Sequence, residues 1–364
     1  GMLDEYAEAR AKYEAARLIY AAIGDRLGEA NTLQALADVH VMLDEYAEAR
    51  AKYEEARAIY AAIGARRGEA NTFKALGDVH RRLAEYAEAR AKYEEAQPVY
   101  VAIGDRLGEA NTLQALGDVH RRLAEYAEAR AKYEAARLIY AAIGARLGEA
   151  NTIKALGELA GQLEQEQEAI ALLEEAAAIF KELGLRRNEA GCYNGMGAAM
   201  KGLHRHEEAL RYFDQAIQLY SDAMLYHNRA DSLIELERYD EAGRALDTAE
   251  ALQPGQPYML YHRGRIALWT YRPADAVRLL EQAVGLRPLL NSFHCQLAYA
   301  LLAAGDPDRA LSAFELALEL THARKDLVDT EEELARLGRA YGPLPGLDRL
   351  TKRLEQALAE TTNH

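Results

Sequence analysis

At 364 residues the chain has room for two or three globular domains, yet only 8 prolines and no stretch of period-two alternation point to helices throughout. Lys+Arg 44 against Asp+Glu 58 leaves a formal charge of -14, which repels phosphate backbones and anionic lipid and argues against nucleic acid and membrane surfaces as partners. No run of about 18 apolar residues offers a membrane span. Cys192 and Cys295 fall three repeats apart, beyond the roughly 7 Å Cα reach of a disulfide, and two unpaired thiols suit a reducing cytoplasm, the expected location. Gly1 reads as a tag remnant.

In chain order, Leu3 to Ile23 reads as one amphipathic helix without a partner before it, and residues 1–24 are assigned to an orphan second helix. Its apolar residues Tyr6, Ala9, Tyr13, Ala16 and Tyr20 then rely on the following repeat alone, which predicts exposed apolar surface, fraying and weak self-association. From residue 25 a forty-residue unit recurs, clearest from Asn111 to Ala150. In the copy that begins at Ala30, Leu33, Leu36, His40 and Leu43 mark the buried stripe of a first helix, A. Tyr46, Ala49, Tyr53, Ala56 and Tyr60 mark that of a second, B. Gly64 can end helix B in a left-handed conformation, while Asp25 and Asp105 stand at N-cap places. Pro98 replaces the Ala58 of a sister helix, so helix B is expected to bend or end early near Gln97.

The anchor of helix A is Leu33, Phe73, Leu113, Ile153, Tyr193, Tyr226, Leu260, His294 and Leu334 in turn, at intervals of 40, 40, 40, 40, 33, 34, 34 and 40 residues. Four residues on, a small residue recurs, as Ala37, Gly77, Gly117, Gly157, Gly197, Ala230, Gly264, Ala298 and Gly338, and helix B repeats an alanine from Ala56 to Ala357. This pattern resembles the tetratricopeptide repeat family over nearly the whole chain. The long units are similar to those of kinesin light chains, Leu-Gly-Asn adaptors and many bacterial regulators. The resemblance implies an all-α, right-handed superhelical solenoid of antiparallel helix pairs, one orphan helix plus about nine pairs. Residues 25–184 form the near-identical array, 185–322 the diverged units mostly of 33–34 residues, and 323–364 a degenerate last unit acting as a cap.

No constellation of residues writes a reaction. His40, His80 and His120 lie one repeat apart, too distant for one metal ion, and read as core. His204 to Glu207 lacks metal-ligand spacing and reads as solvated turn, and the Gly24 to Gly28 loop lacks the Gly-Lys-Ser/Thr of a phosphate cradle. No catalytic residue, cofactor or metal is expected.

The resemblance implies a concave groove lined by helix A. Its inward positions in the long units are Asn31, Asn71, Asn111 and Asn151, then Gln34, Lys74, Gln114 and Lys154, then Asp38, Asp78, Asp118 and Glu158, with Arg81, Arg82, Arg121 and Arg122 at the rim. Asparagine can donate to and accept from an extended backbone, though duplication alone also copies such a ladder. In the short units the same positions hold Asn194, Lys201, Met224, His227, Asp231, Tyr258, Tyr261, Arg265, Trp269, Cys295 and Tyr299. Two readings stand for these: a pocket for an apolar or aromatic anchor, carrying the larger share of affinity, or an arc that closes and buries them as core.

The function implied is a non-enzymatic scaffold that holds a peptide segment or partner protein in the groove. One alternative is a sensor or regulatory segment of a larger multidomain signalling protein. An RNA-binding helical repeat is another, and the acidic inward row opposes it.

Overall fold

Each repeat closes two helices with turns whose chemistry differs at the two ends. Where helix B meets the next helix A, the left-handed position is glycine: Gly24, Gly64, Gly104, Gly144 and Gly184 have φ between 69° and 74°. Ala65 N then bonds Tyr60 O at 2.8 Å and Gly64 N bonds Ala61 O at 3.2 Å, the paired bonds of a Schellman end. The turn from A to B takes the same conformation without glycine, at Asp44, Ala84, Ala124 and Glu164 with φ 56° to 59°. A histidine and a glutamate brace it, His40 Nδ1 to Glu45 Oε2 at 2.6 Å and His80 Nδ1 to Glu85 Oε2 at 2.6 Å. Asp25 and Asp105 cap as expected, each accepting from the glycine amide three residues on at 2.9 Å.

The structure, a computed structural model, describes residues 2–321 and 324–361. Gly1 and the repeat boundary expected at 322–323 lie outside the described residues. Among those described there are nineteen helices and no strand. The fold is a solenoid of helix pairs, and the chain divides into two compact units, residues 1–195 and 196–364.

In the first unit α1 (Met2–Ile23) packs on α2 (Arg26–Met42), and the pairs are α2 with α3 (Tyr46–Ala62), α4 (Arg66–Arg82) with α5 (Tyr86–Ala102), α6 (Arg106–Arg122) with α7 (Tyr126–Ala142), and α8 (Arg146–Gln162) with α9 (Glu166–Glu182). Leu18, Ile19 and Ile23 of α1 are 61% to 68% exposed. In α3 the equivalent Ile59 is buried. Neighbouring pairs are tied by arginine on helix B reaching the glutamate of the next A-to-B turn, as Arg90 does to Glu125 at 3.2 Å. α10 (Arg186–Gly202) carries the boundary between the units.

The early end expected at Pro98 does not occur. α5 runs unbroken from Tyr86 to Ala102, 17 residues like its sisters α3 and α7. Pro98 and Glu94, whose carbonyl loses its donor, are both exposed, so water can take the vacated bond and the buried Val99 and Tyr100 still hold the helix to its neighbours.

The second unit comprises α11 (His206–Leu219), α12 (Ala223–Glu235), α13 (Tyr239–Leu252), α14 (Pro257–Trp269), α15 (Pro273–Leu286), α16 (Asn291–Ala303), α17 (Pro307–Glu319), α18 (Arg324–Tyr341) and α19 (Leu347–Thr361). A continuous apolar core joins them, from Leu210 through Leu268 and Tyr299 to Leu354. Its A helices touch one another directly, α12 on α14, α14 on α16 and α16 on α18.

Candidate functional site

The inner row of the first unit is built from tyrosines that start on helix B. Tyr93 and Tyr133 are fully buried, and each ring slides beneath the glycine of its own helix A, where a Cβ on Gly77 or Gly117 would come within 2.6 Å of the ring. Their hydroxyls emerge at the inner wall and donate to Asp78 and Asp118 at 2.7 Å; Tyr53 donates to Asp38 in the same way. A second tyrosine passes beneath the first turn of the next helix A, against Gly68, Gly108 or Gly148. Its hydroxyl reaches the asparagine row, Tyr60 to Asn31, Tyr100 to Asn71 and Tyr140 to Asn111, each at 2.7 Å to Oδ1.

Two consequences follow for the electrostatics. Burial pushes Asp118 above the usual carboxylate range, against the opposing pull of the Tyr133 hydroxyl and of Arg81 and Arg121. Tyr60 and Tyr140 are each pushed up to about 12, chiefly by burial, and stay neutral donors. Between successive A helices lie open hollows. One of about 610 Å³ is lined by Asn31, Gln34, Tyr60, Arg67 and Asn71 among others, and one of about 360 Å³ by Gln34, Asn71, Lys74, Tyr100 and Asn111 among others.

In the second unit a charged cluster occupies the inner wall. Arg265 is 4% exposed. It donates through Nη1 to Asp231 at 2.5 Å and through Nη2 to Glu235. Lys201 also donates to Asp231, and Arg336 reaches Glu235 at 3.3 Å and Glu237 at 3.1 Å while its guanidinium lies 4.3 Å over the Trp269 ring. Beside this cluster Tyr261 stacks on Phe293 at 4.6 Å and Tyr258 meets His227 edge-on at 5.2 Å. His227 and His262 share an Nε2 to Nε2 contact of 2.8 Å, and burial pushes both below the usual histidine value. The cluster borders a cavity of about 480 Å³ whose far wall is Asp329, Glu332, Glu333 and Arg339 of α18.

Tetratricopeptide repeat models match residues 2–62, 68–142, 110–182 and 148–222, and a second model of the same description matches 201–257, 227–288 and 270–323. The chain belongs to the tetratricopeptide repeat family. No curated protein sequence matches it. Among solved structures it is similar to the apo form of RapI, with TM-score 0.65 and 12% identity over 90% of this chain and 97% of that one. A tetratricopeptide repeat protein from Parabacteroides merdae gives 0.55 and 16% over 75% and 98%. PilF of Pseudomonas aeruginosa gives 0.51 and 17% over 63% and 96%. At these identities the likeness concerns the fold alone.

Within this tetratricopeptide repeat protein the residues picked out from sequence fall into two sets. In the first unit Asn71, Lys74, Asn111, Gln114, Asn151 and Lys154 are half-buried along the inner row and Asn31 is exposed. Lys74 pairs with Asp78 at 2.8 Å, Lys154 with Glu158 at 2.9 Å and Arg121 with Glu158 at 3.5 Å. In the second, Tyr258 is exposed and Tyr261 and His227 are half-buried, whereas Trp269 is 7% exposed under Arg336 and Tyr299 is fully buried with its hydroxyl toward Thr330 O. Arg265 and Trp269 thus belong to the packed wall, and the open space beside them is polar. His206, expected at the solvated surface, is half-buried and lines the cavity, and burial pushes it down. Sequence reasoning passed over Phe293, Gln296, Glu333 and Arg336, whose partners lie far along the chain.

Glu333 gives a pH signature. Burial pushes its carboxyl up to about 7, with Glu235 adding to the rise and Arg265, Gln296 and Arg336 opposing it. Between about pH 4.5 and 7 the folded protein therefore keeps a proton that the unfolded chain has released, so this group's contribution to stability falls as pH rises through that window. Glu333→Gln, which cannot ionise, is expected to gain in melting temperature over the wild type from pH 5 to pH 8. An equal difference at both pH values would refute this.

Proposed function

We propose that the protein is a non-enzymatic interaction scaffold whose inner-helix row in the first unit holds an extended peptide segment of a partner protein. The family supports the mode, since tetratricopeptide repeats generally bind partner proteins or peptides. The observation that carries the reading is the tyrosine bond to each asparagine Oδ1 at 2.7 Å in three successive repeats. With its carbonyl held by a hydroxyl, each amide turns its two Nδ2 hydrogens away from that bond, and a row of donors at one per repeat suits the carbonyls of an extended chain. The hollows between repeats leave room for side chains. No described helix is long and apolar enough to cross a membrane.

Asn71→Asp with Asn111→Asp tests this without disturbing the wall, because aspartate still accepts from Tyr100 and Tyr140 but offers no N–H. Peptides selected from a random display library on the wild-type protein are expected to bind the double variant at least about tenfold more weakly, the equivalent of about 1.4 kcal/mol, while the melting temperature stays close to the wild type. Unchanged affinity would remove the ladder from the binding site.

A further inference from the structure

We propose that the cavity of the second unit is a binding site for a protonated amine, with the Glu333 carboxylate and the Gln296 side-chain oxygen as its acceptors. The cavity, about 480 Å³, lies among α12, α14, α16 and α18, and both residues line it. Gln296 is 2% exposed and donates through Nε2 to Glu333 at 2.8 Å. Its Oε1 is buried and has no hydrogen-bond partner. A buried acceptor left unmade costs free energy that a donor brought by a ligand would recover.

The sign of the ligand follows from how the wall has used its charges. Lys201 and Arg265 are committed to Asp231, Arg265 also to Glu235, and Arg336 to Glu235 and Glu237. Among the described residues Glu333 has no ion-pair partner, and burial holds its carboxyl up to about 7. Asp329 and Glu332 of the same wall are likewise without an ion pair among the described residues, against the single unpaired cation Arg339. The balance of unpaired charge is therefore negative and calls for a positive donor, while a carboxylate or phosphate ligand would find Arg339 alone and otherwise compete with internal carboxylates for engaged cations. A metal ion is disfavoured because no group of three or more His, Cys, Asp or Glu among the described residues is arranged to hold one. An ammonium group has three donors, one for Glu333, one for Gln296 Oε1 and one toward the open side of the cavity.

Such an amine has two sources, a small free amine or a lysine side chain on a bound peptide, and the test separates them. Full-length protein is titrated calorimetrically with n-butylamine, with a capped alanine tetrapeptide carrying one lysine, and with the same peptide carrying acetyl-lysine or glutamate instead. Binding of butylamine or of the lysine peptide, at least about tenfold tighter than of the acetyl-lysine peptide, is expected, with a loss of about tenfold or more in Glu333→Gln. Gln296→Leu is expected to weaken the same probe. Thermal melting establishes that both variants are folded. Binding of the peptide alone assigns the amine to a polypeptide, and binding of butylamine shows that a small amine suffices. Absence of binding by both cationic probes into the millimolar range, equal binding of acetyl-lysine, preference for glutamate, or indifference to Glu333→Gln each overturns the proposal. The Asn71→Asp, Asn111→Asp protein is expected to bind these probes as the wild type does, so failure of the ladder and failure of this site are told apart.

Discussion

Arg265→Ala is expected to destabilise the second unit by about 3 kcal/mol, at the lower end of what is lost when one partner of a buried charge pair is removed. The guanidinium is 4% exposed and joins Asp231 to Glu235, whose side chains are 18% and 28% exposed. Removing it leaves both carboxylates in a place with little water. The loss is held to the lower end because Lys201 still pairs with Asp231 and Arg336 with Glu235. The protein has 1 tryptophan, and Trp269 lies four residues beyond Arg265 on the same helix, so urea unfolding followed by its fluorescence reports on this unit. Glu235→Gln in the Arg265→Ala background is expected to recover part of the loss, since it removes one of the two carboxylates that Arg265 neutralised while Arg336 keeps Glu237. A change below about 1 kcal/mol for Arg265→Ala would mean that water already screens the cluster.

How far such features could be read in advance depends on whether they repeat. The helix pairs, their boundaries and the small residue of helix A were legible because a core position recurs at fixed spacing, so Leu33, Phe73, Leu113 and Ile153 announce one another. The path of a tyrosine was not. Tyr93 and Tyr133 read as apolar stripe residues, and their rings are buried as that stripe requires. Their hydroxyls nevertheless cross to the inner wall, passing beneath the small residue of helix A, and the periodicity that marks that small residue does not say which side chain fills the space it leaves. The early end expected at Pro98 misled for a related reason: propensity counts the lost bond but not that Pro98 and Glu94 are both exposed residues, where water can replace it. In the second unit the partners are Lys201 with Asp231, Arg336 with Glu235 and Gln296 with Glu333, separated by 30, 101 and 37 residues. No sequence rule pairs residues so far apart, and the inward row, read as aromatic, is walled by ions.

The passage of Tyr133 beneath Gly117 can be tested as a coupled pair. Tyr133→Ala is expected to cost about 3–5 kcal/mol, the range for emptying a buried aromatic site, because the ring is fully buried among Ala129, Leu156 and Leu159. Tyr133→Phe keeps the ring and loses the bond to Asp118 at 2.7 Å, for an expected cost of about 1–2 kcal/mol. Gly117→Ala should also destabilise, by about 1 kcal/mol, since the added Cβ would sit 2.6 Å from the ring and force a shift, of the kind that Ala37 shows to be possible in the first pair, where Tyr53 is still buried and still reaches Asp38. With the ring gone that methyl has space and fills part of the cavity. The double variant Gly117→Ala, Tyr133→Ala is therefore expected to lose less than the two single variants together, by about 1 kcal/mol or more, as contacting residues do in a mutant cycle. Urea unfolding followed by helical circular dichroism measures all four proteins. Additivity within about 0.5 kcal/mol would mean that helix A can move away from helix B at Gly117, and that the close approach of the two helices does not depend on glycine there.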